Sequence, residues 1–271
     1  MNEPLLIIYS HTSFLDIVYI TTDLLKSYKN KILLIDEDFN KDDEYKDDYL
    51  NILKYKNSTP YATRLQEIKH INNDYFIIIH EVDLLIKYDT NVLNKFEKYM
   101  KENDIDKIEF QHCAPPYHIN KRQFETNNPE INFNDICKLY RTSNVNMIKQ
   151  GYALFNVNPT MWKKDSFLKI MYKFSHLGYK QIEGDSNLTK YVADMNCYSL
   201  LVKNPINCGH FVCDYFFLPL HILRHGKIFD PKPMHTWGVE MDKEVLKIYN
   251  EIINKYFTGK TKRQFCIGFP G

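Results

Sequence analysis

The run NNDYFIIIHEVDLLIKYD, residues 72–89, constrains the fold more than any other stretch of the chain. Tyr75 to Ile79 is a block of β-branched and aromatic side chains without polar alternation, the pattern of a strand covered on both faces. Such a strand belongs in the middle of a sheet layered by helices. Yet Glu81 and Asp83 stand in the centre of the run, and a buried carboxylate is costly unless something cationic meets it. The two acids therefore need a partner, from the chain or from a ligand.

The start of the chain supplies the rest of such a sheet. PLLIIYS reads as a short buried strand, and in HTSFLDIVYITTDLLKSYKN the residues Leu15, Val18, Tyr19, Thr22, Leu24 and Leu25 recur at helical spacing. KILLIDED is a second apolar strand. Strand, helix, strand at this length is the β-α-β unit, which puts the carboxyl ends of its parallel strands, and any ligand, on one edge. Residues 1–38 thus predict an α/β sheet.

Further on, EDFNKDDEYKDDYLN reads as an acidic loop, and STPYATRLQEIKHI as an amphipathic helix with a Ser/Thr cap and Pro60 in its first turn. TNVLNKFEKYMKENDI is a helix, DKIEFQHC a strand, and APPYHINKRQFETNNPEINFND a long irregular loop of the kind used for binding lids and for surface padding alike. YALFNVNPTMWKKDSFLKIMYKFSH runs from an extended segment into a helix opened near Pro159 and Thr160. IEGDSNLTKYVADMNC turns at Gly184 and enters a helix capped by Asp185 or Ser186, and DKEVLKIYNEIINKYF is a closing helix. There is no internal repeat and no linker, so the 271 residues are expected to form one domain.

Composition narrows the function. With 35 basic and 34 acidic residues the formal net charge is +1, which gives no general field for nucleic acid or an anionic membrane. Six cysteines follow no secretory framework and the opening MNEPLLIIYS lacks a cationic leader, so reduced thiols in a cytoplasmic compartment are expected. No apolar run reaches the roughly 18–20 residues of a membrane span; FVCDYFFLPLHIL comes nearest and is broken by Asp214 and Pro219.

Two acids at i and i+2 beyond a buried strand can point into one crevice, and an oxygen-rich pair suits Mg²⁺ or Mn²⁺. Most acid-any-acid triplets are nonetheless solvated loop carboxylates; the place of this one after YFIII sets it apart. Here the chain resembles the inverting GT-A glycosyltransferases, including bacterial capsule-type and large-virus members. HEVDLLI looks like a Glu-any-Asp form of their acidic motif, LIIYSHTSFLDIV and ILLIDED like their first two strands, and ALFNVNPTMWKKDSFLKIM with IEGDS like their acceptor half. The resemblance spans about residues 5–240 and departs from the pattern in having Glu first, which loosens the hold on a metal. It implies a GT-A (Rossmann-like) single domain, with a mixed, mostly parallel central sheet flanked by helices. Residues 1–112 would form the nucleotide-sugar half, and 113–271 the acceptor half.

The resemblance also implies roles. Glu81, Asp83 and a later histidine, His235, would hold Mn²⁺ or Mg²⁺ at the diphosphate. The nucleotide would lie against Ser10, His11 and Thr12 and against Asp36, though Ser10 and Thr12 equally read as caps of the next helix. Arg64 would reach base or phosphate, or else pair with Glu67. Trp162 and Trp237 would face the sugar, although buried aromatics are mostly core. An inverting transfer needs one base for the acceptor hydroxyl: Glu183 first and Asp185 second, since Asp185 also reads as a helix cap. The basic tail residues Lys260, Lys262 and Arg263 would close over a diphosphate or simply be solvated. CGHFVC and HILRHG, with His221 and His225 at helical spacing, offer too few paired ligands for a zinc site and read better as core.

The partners expected are a nucleotide diphosphate sugar donor and a saccharide or glycoprotein acceptor. Two rivals stand beside this. A nucleotidyltransferase uses a related sheet, but YSHTSFLD has neither the Gly nor the Lys of a phosphate loop. A noncatalytic glycan-binding protein on a degenerate fold of the same kind is the other.

Overall fold

The computed structural model describes residues 3–40, 50–110, 112–113, 130–133, 137–141, 155, 157–202, 206–208, 211–213, 216–224, 227–229, 241–258 and 265–266. The apolar runs of the first half become strands β1 (Leu5–Tyr9), β2 (Lys31–Asp36), β3 (Leu50–Tyr55) and β4 (Tyr75–His80). They lie side by side and parallel in the order β3-β2-β1-β4, with Tyr9 opposite both Leu34 and His80. The expected β-α-β opening is therefore present, with helix α1 (Leu15–Leu24) as its crossover. Beyond α1 the carbonyls of Leu25 and Tyr28 accept hydrogen bonds from the buried Lys31 Nζ at 3.1 and 2.6 Å, which satisfies a buried Lys side chain at the end of the helix.

The 72–89 run is not one strand but two. After β4 the chain turns at Glu81 and Val82 and continues as β5 (Asp83–Tyr88), which leaves the large sheet. Past helix α2 (Tyr61–Arg64) and helix α3 (Thr90–Glu102) come β6 (Lys107–Glu109), β7 (His112–Cys113), β8 (Glu130–Phe133), β9 (Cys137–Arg141), β10 (Thr160–Lys163) and β11 (Cys197–Val202). Among the described residues the large sheet has nine strands, ordered β3-β2-β1-β4-β10-β6-β11-β9-β8. β10 runs antiparallel to both β4 and β6, and β9 antiparallel to both β11 and β8. The result is the mixed, mostly parallel, Rossmann-like α/β sheet that the sequence predicts.

Alternate side chains of each central strand enter different cores. Leu6, Ile8, Leu33, Ile35, Ile77 and Ile79 pack with the face of α3 formed by Val92, Leu93, Phe96 and Met100. Leu5, Ile7, Leu34, Phe76 and Ile78 pack on the other side with Tyr61, Leu65, Phe167 and Ile170. Burial on both faces is why these strands show no polar alternation. A third core forms over β14 (Phe217–His221), the antiparallel partner of β5, where Leu84, Leu218 and Leu220 meet Val245, Tyr249 and Ile252 of the closing helix. The strands β12 (Ile206–Asn207) and β13 (Phe211–Cys213) pair with β7, and β15 (Leu223–Arg224), β16 (Lys227–Phe229) and β17 (Phe265–Cys266) form a small sheet. No helix among the described residues is long and apolar enough to cross a membrane.

Several local expectations are corrected. The segment at Pro159 and Thr160 does not open a helix; Thr160–Lys163 is drawn into the sheet between β4 and β6, and helix α4 (Lys164–Lys173) starts after it. STPYATRLQEIKHI is only the one-turn α2 followed by a tighter turn at Leu65–His70; Pro60 stands at its start, and the Thr59 hydroxyl bonds instead to the Lys56 carbonyl. DKIEFQHC divides between β6 and β7, in different sheets. His221 is on a strand, not a helix.

Candidate functional site

The carboxyl ends of β1, β2 and β4 share one edge, and the loops that follow are pinned to each other. Ser10 is fully buried; its N–H donates to the Leu34 carbonyl at 2.9 Å, and its carbonyl accepts from the Tyr55 hydroxyl at 2.7 Å. Thr12 donates to the Asp36 carboxylate from its backbone N–H at 2.6 Å and from its hydroxyl at 3.1 Å, and the Asp38 N–H adds a third bond at 3.2 Å. His11 turns its Nδ1 to the Ser13 N–H at 3.0 Å and its Nε2 to within 3.9 Å of Asp36. Asp36 thus clamps the β1 loop with charge-assisted bonds, and being wholly buried it does not stand open to a base or ribose. Capping falls to His11 rather than to Ser10 or Thr12.

Glu81 is tied to the same edge by its N–H, which donates to the Tyr9 carbonyl at 3.1 Å. Two residues on, Asp83 is 3% exposed, and its partner is His221 across the β5–β14 pair, Nδ1 to carboxylate 3.0 Å. That contact answers part of the question posed by the run: the acids lie at a corner between two sheets, and one meets an imidazole. His235 lies outside the described residues, and among those described no three His, Cys, Asp or Glu side chains form a ready metal set.

A column of rings rises beside the corner. Tyr55 stacks on Tyr9 at 5.4 Å, Tyr9 meets Tyr61 edge-on at 5.2 Å, and Tyr61 meets Tyr179 edge-on at 5.2 Å. His80 hydrogen-bonds the Tyr61 hydroxyl from within the column. Burial pushes the His80 imidazole down to about 4, against the opposing pull of the Asp83 charge, so the ring is neutral near pH 7. In the unfolded chain it would take its proton near 6.5, so this group's contribution to stability is full above that value. It is lost as pH falls from there toward 4, a loss of roughly 3 kcal/mol. Urea denaturation at about pH 7 and pH 4.5 should show this slope in the wild type and lose most of it in His80→Asn; an unchanged slope would assign it to other groups.

Glu183 follows helix α5 (Tyr179–Ile182) and accepts from the Val157 N–H at 2.9 Å. Burial raises its carboxyl above the usual range, with the Val157 bond opposing and the Glu109 charge adding. Glu109 belongs to a buried pair with Lys107, 3.2 Å apart, and also accepts from Asn158 Nδ2 at 2.9 Å. Adjacent residues of one segment, Val157 and Asn158, therefore hold two carboxylates near each other. Asp185 is the N-cap of helix α6 (Ser186–Ala193), accepting from Leu188 N–H at 2.7 Å. Asp185→Ala should cost about 1 kcal/mol and Asp185→Asn almost nothing, as thermal melts would read; equal losses would remove the cap from the account.

Other expected site residues are placed elsewhere. Arg64 does not pair with Glu67, which meets Lys69 and His70 instead. Its guanidinium donates to the carbonyls of Thr59 and Asn57 at 2.8 and 2.7 Å and lies over the Tyr55 ring at 5.2 Å. Trp162 is core, 1% exposed, packed with Phe155 and Phe167 and capped by the Lys107 ammonium 5.6 Å above its ring, so it presents no face to a sugar. Trp237, His210, His225 and the tail residues Lys260, Lys262 and Arg263 lie outside the described residues. Sequence reasoning missed His80, Tyr61, Tyr179 and Glu109. His80 abuts Glu81 in the opening run and Tyr179 precedes Glu183 by one helical turn, and those two signals were there to find.

No protein-family model matches the chain, and no curated protein matches it significantly. Among solved structures, apo UDP-glucose pyrophosphorylase is similar at 11% identity over 74% of this chain and 91% of its own, with a TM-score of 0.43. A cytidylyltransferase from Leptospira borgpetersenii serovar Hardjo-bovis matches at 11% over 73% and 76%, with a TM-score of 0.41. S. aureus TarS 1-349 in complex with UDP-GlcNAc matches at 11% over 93% of this chain and 66% of its own, with a TM-score of 0.44. At these values the likeness assigns no residue of this chain a role.

Proposed function

We propose that the chain is an inverting glycosyltransferase that moves a sugar from a nucleotide diphosphate sugar to a saccharide or glycoprotein acceptor. One set of contacts supports this: the Glu81 N–H bonds the Tyr9 carbonyl, and the rings of Tyr9, Tyr61 and Tyr179 run from there to the turn capped by Glu183, so acids of both halves flank one ring column. Two kinds of acid are wanted there. One kind handles the departing diphosphate and the other the incoming hydroxyl.

Glu183 is the base. Its raised carboxyl keeps more basicity than a free one, and the Val157 N–H fixes its orientation. It takes the proton of the acceptor hydroxyl while that oxygen bonds to the anomeric carbon and the bond from that carbon to the diphosphate breaks, the nucleoside diphosphate leaving from the opposite face. Glu81 and Asp83 would hold a hard divalent cation such as Mn²⁺ or Mg²⁺ at the corner, with the diphosphate oxygens and, as the resemblance implies, His235 completing its ligands. Such an ion, when bound, neutralises charge on the leaving group.

Incubation with a panel of UDP- and GDP-sugars and Mn²⁺ should release the nucleoside diphosphate. Release of pyrophosphate from a nucleoside triphosphate and a sugar phosphate would replace the proposal with nucleotidyl transfer. Glycan binding without turnover, surviving loss of Glu81, Asp83 and Glu183, would make the protein a binding module. Asp83→Asn keeps the contact to His221 and loses the charge, so UDP affinity in Mn²⁺ should fall to its metal-free value in isothermal titration. Unchanged affinity would mean that Asp83 serves the β5–β14 pair alone.

A further inference from the structure

Three large hydrophobic side chains are exposed among those described, Tyr19, Tyr172 and Tyr179. A single exposed tyrosine is ordinary on a protein surface. Tyr179 differs in what stands behind it and beside it. Behind it is the ring column: Tyr55, Tyr9 and Tyr61 are 2%, 5% and 3% exposed, and Tyr179, at 43%, is the one ring of the column that reaches solvent. His80 braces it further at 6.2 Å between ring centres. A ring held from behind loses little freedom on meeting a ligand, and that lowers the cost of stacking. Beside it, one helical turn on, is Glu183, and burial together with the charges of Glu81, Glu183 and Asp83 raises the Tyr179 phenol above its ordinary range.

We propose that Tyr179 is the platform on which the pyranose ring of the acceptor stacks, with one of its hydroxyls delivered to Glu183. A pyranose has a face of C–H groups that packs on an aromatic ring and a rim of hydroxyl donors, and carboxylates are acceptors only. With Glu81 and Asp83 given to the cation and its diphosphate, Glu183 is the carboxylate beside the ring, and its charge favours a neutral saccharide there over a phosphate. The local geometry agrees. Tyr179 and Glu183 stand at i and i+4 on one turn and its cap, hence on one face, so a sugar seated on the ring lies beside the base. Tyr179 is thus a specificity-determining residue, and its role rests on the transferase proposal only through the part played by Glu183.

The test uses the full chain and a panel of methyl pyranosides, methyl glucoside, galactoside, mannoside and N-acetylglucosaminide, observed by saturation-transfer NMR and titration without donor. At least one should bind wild type, with transfer strongest to the C–H face. Tyr179→Ala should weaken it tenfold or more, Tyr179→Trp should retain it, and UDP affinity should stay unchanged in both, with thermal melts confirming folded variants. Binding of no pyranoside in the panel, equal binding by Tyr179→Ala, or loss of UDP in parallel would overturn the platform. Donor turnover with pyranoside binding insensitive to Tyr179 would sink the platform alone. Tyr179-dependent pyranoside binding with no turnover of any nucleotide sugar would leave the platform standing and remove the transferase.

Discussion

Glu183→Gln lowers the transfer rate by about 10²–10⁴-fold while leaving the nucleotide sugar bound, the expected signature of losing a general base without losing the site. The amide keeps an oxygen for the Val157 N–H, so shape and orientation are preserved. The same substitution has an effect that a purely structural carboxylate in solvent would not show. A carboxyl whose folded pKa is raised favours the folded state most when protonated, below its ordinary value of 4.5. That contribution disappears as pH rises through the folded value, so at neutral pH the ionised Glu183 is a burden on the fold. Glutamine is neutral throughout, and Glu183→Gln should raise the melting temperature at about pH 7.5 but not at about pH 4. Melts at the two pH values with single-turnover transfer assays decide it: full activity would move the base to Asp185, and no gain in stability at either pH would remove the burial argument.

Trp162→Ala is the second large effect, and it falls on stability rather than on substrate. Truncating a fully buried indole costs about 3–5 kcal/mol, and here the Lys107 ammonium also loses the ring beneath it. Trp162→Phe keeps the contacts with Phe155 and Phe167 in part and should cost less. Urea denaturation beside UDP titration separates the alternatives. Lost stability with affinity retained places the indole in the core, while lost affinity at full stability would return it to the site.

The sheet could be read from sequence wherever a strand is buried on both faces, because continuous runs such as Leu5–Tyr9 and Tyr75–Ile79 have little other use. Leu50–Tyr55 is not legible as a strand: Leu50 and Asn51 read as the end of the acidic loop, and as the outer strand β3 it exposes Asn51 and Lys54, whose polar side chains hide its period. Thr160–Lys163 was misread because Pro159 and Thr160 carry a helix-start signal, which pairing with β4 and β6 overrode. In the site, Asp185 was legible as a cap since that chemistry is local. The ring column was not. Tyr9, Tyr55, Tyr61 and Tyr179 come from four separate segments, and nothing in a chain of 20 tyrosines marks those four before the sheet brings them together. Asp36 shows the converse: its place at a strand end was legible, but its oxygens are occupied by Thr12 and Asp38, which only the folded loop reveals.

The turn at Glu81 and Val82 makes the acid pair a joint as well as a proposed site. Glu81 is anchored to the nine-stranded sheet through Tyr9, whereas Asp83 rides on the β5–β14 ribbon, whose seating is set by Leu84, Leu218 and Leu220 against the closing helix. The gap between the two carboxylates is therefore a gauge of how that ribbon sits on the body of the protein. If the pair holds a cation as proposed, repacking of those leucines, well away from any ligand, would be felt as a change in which ion size it accepts.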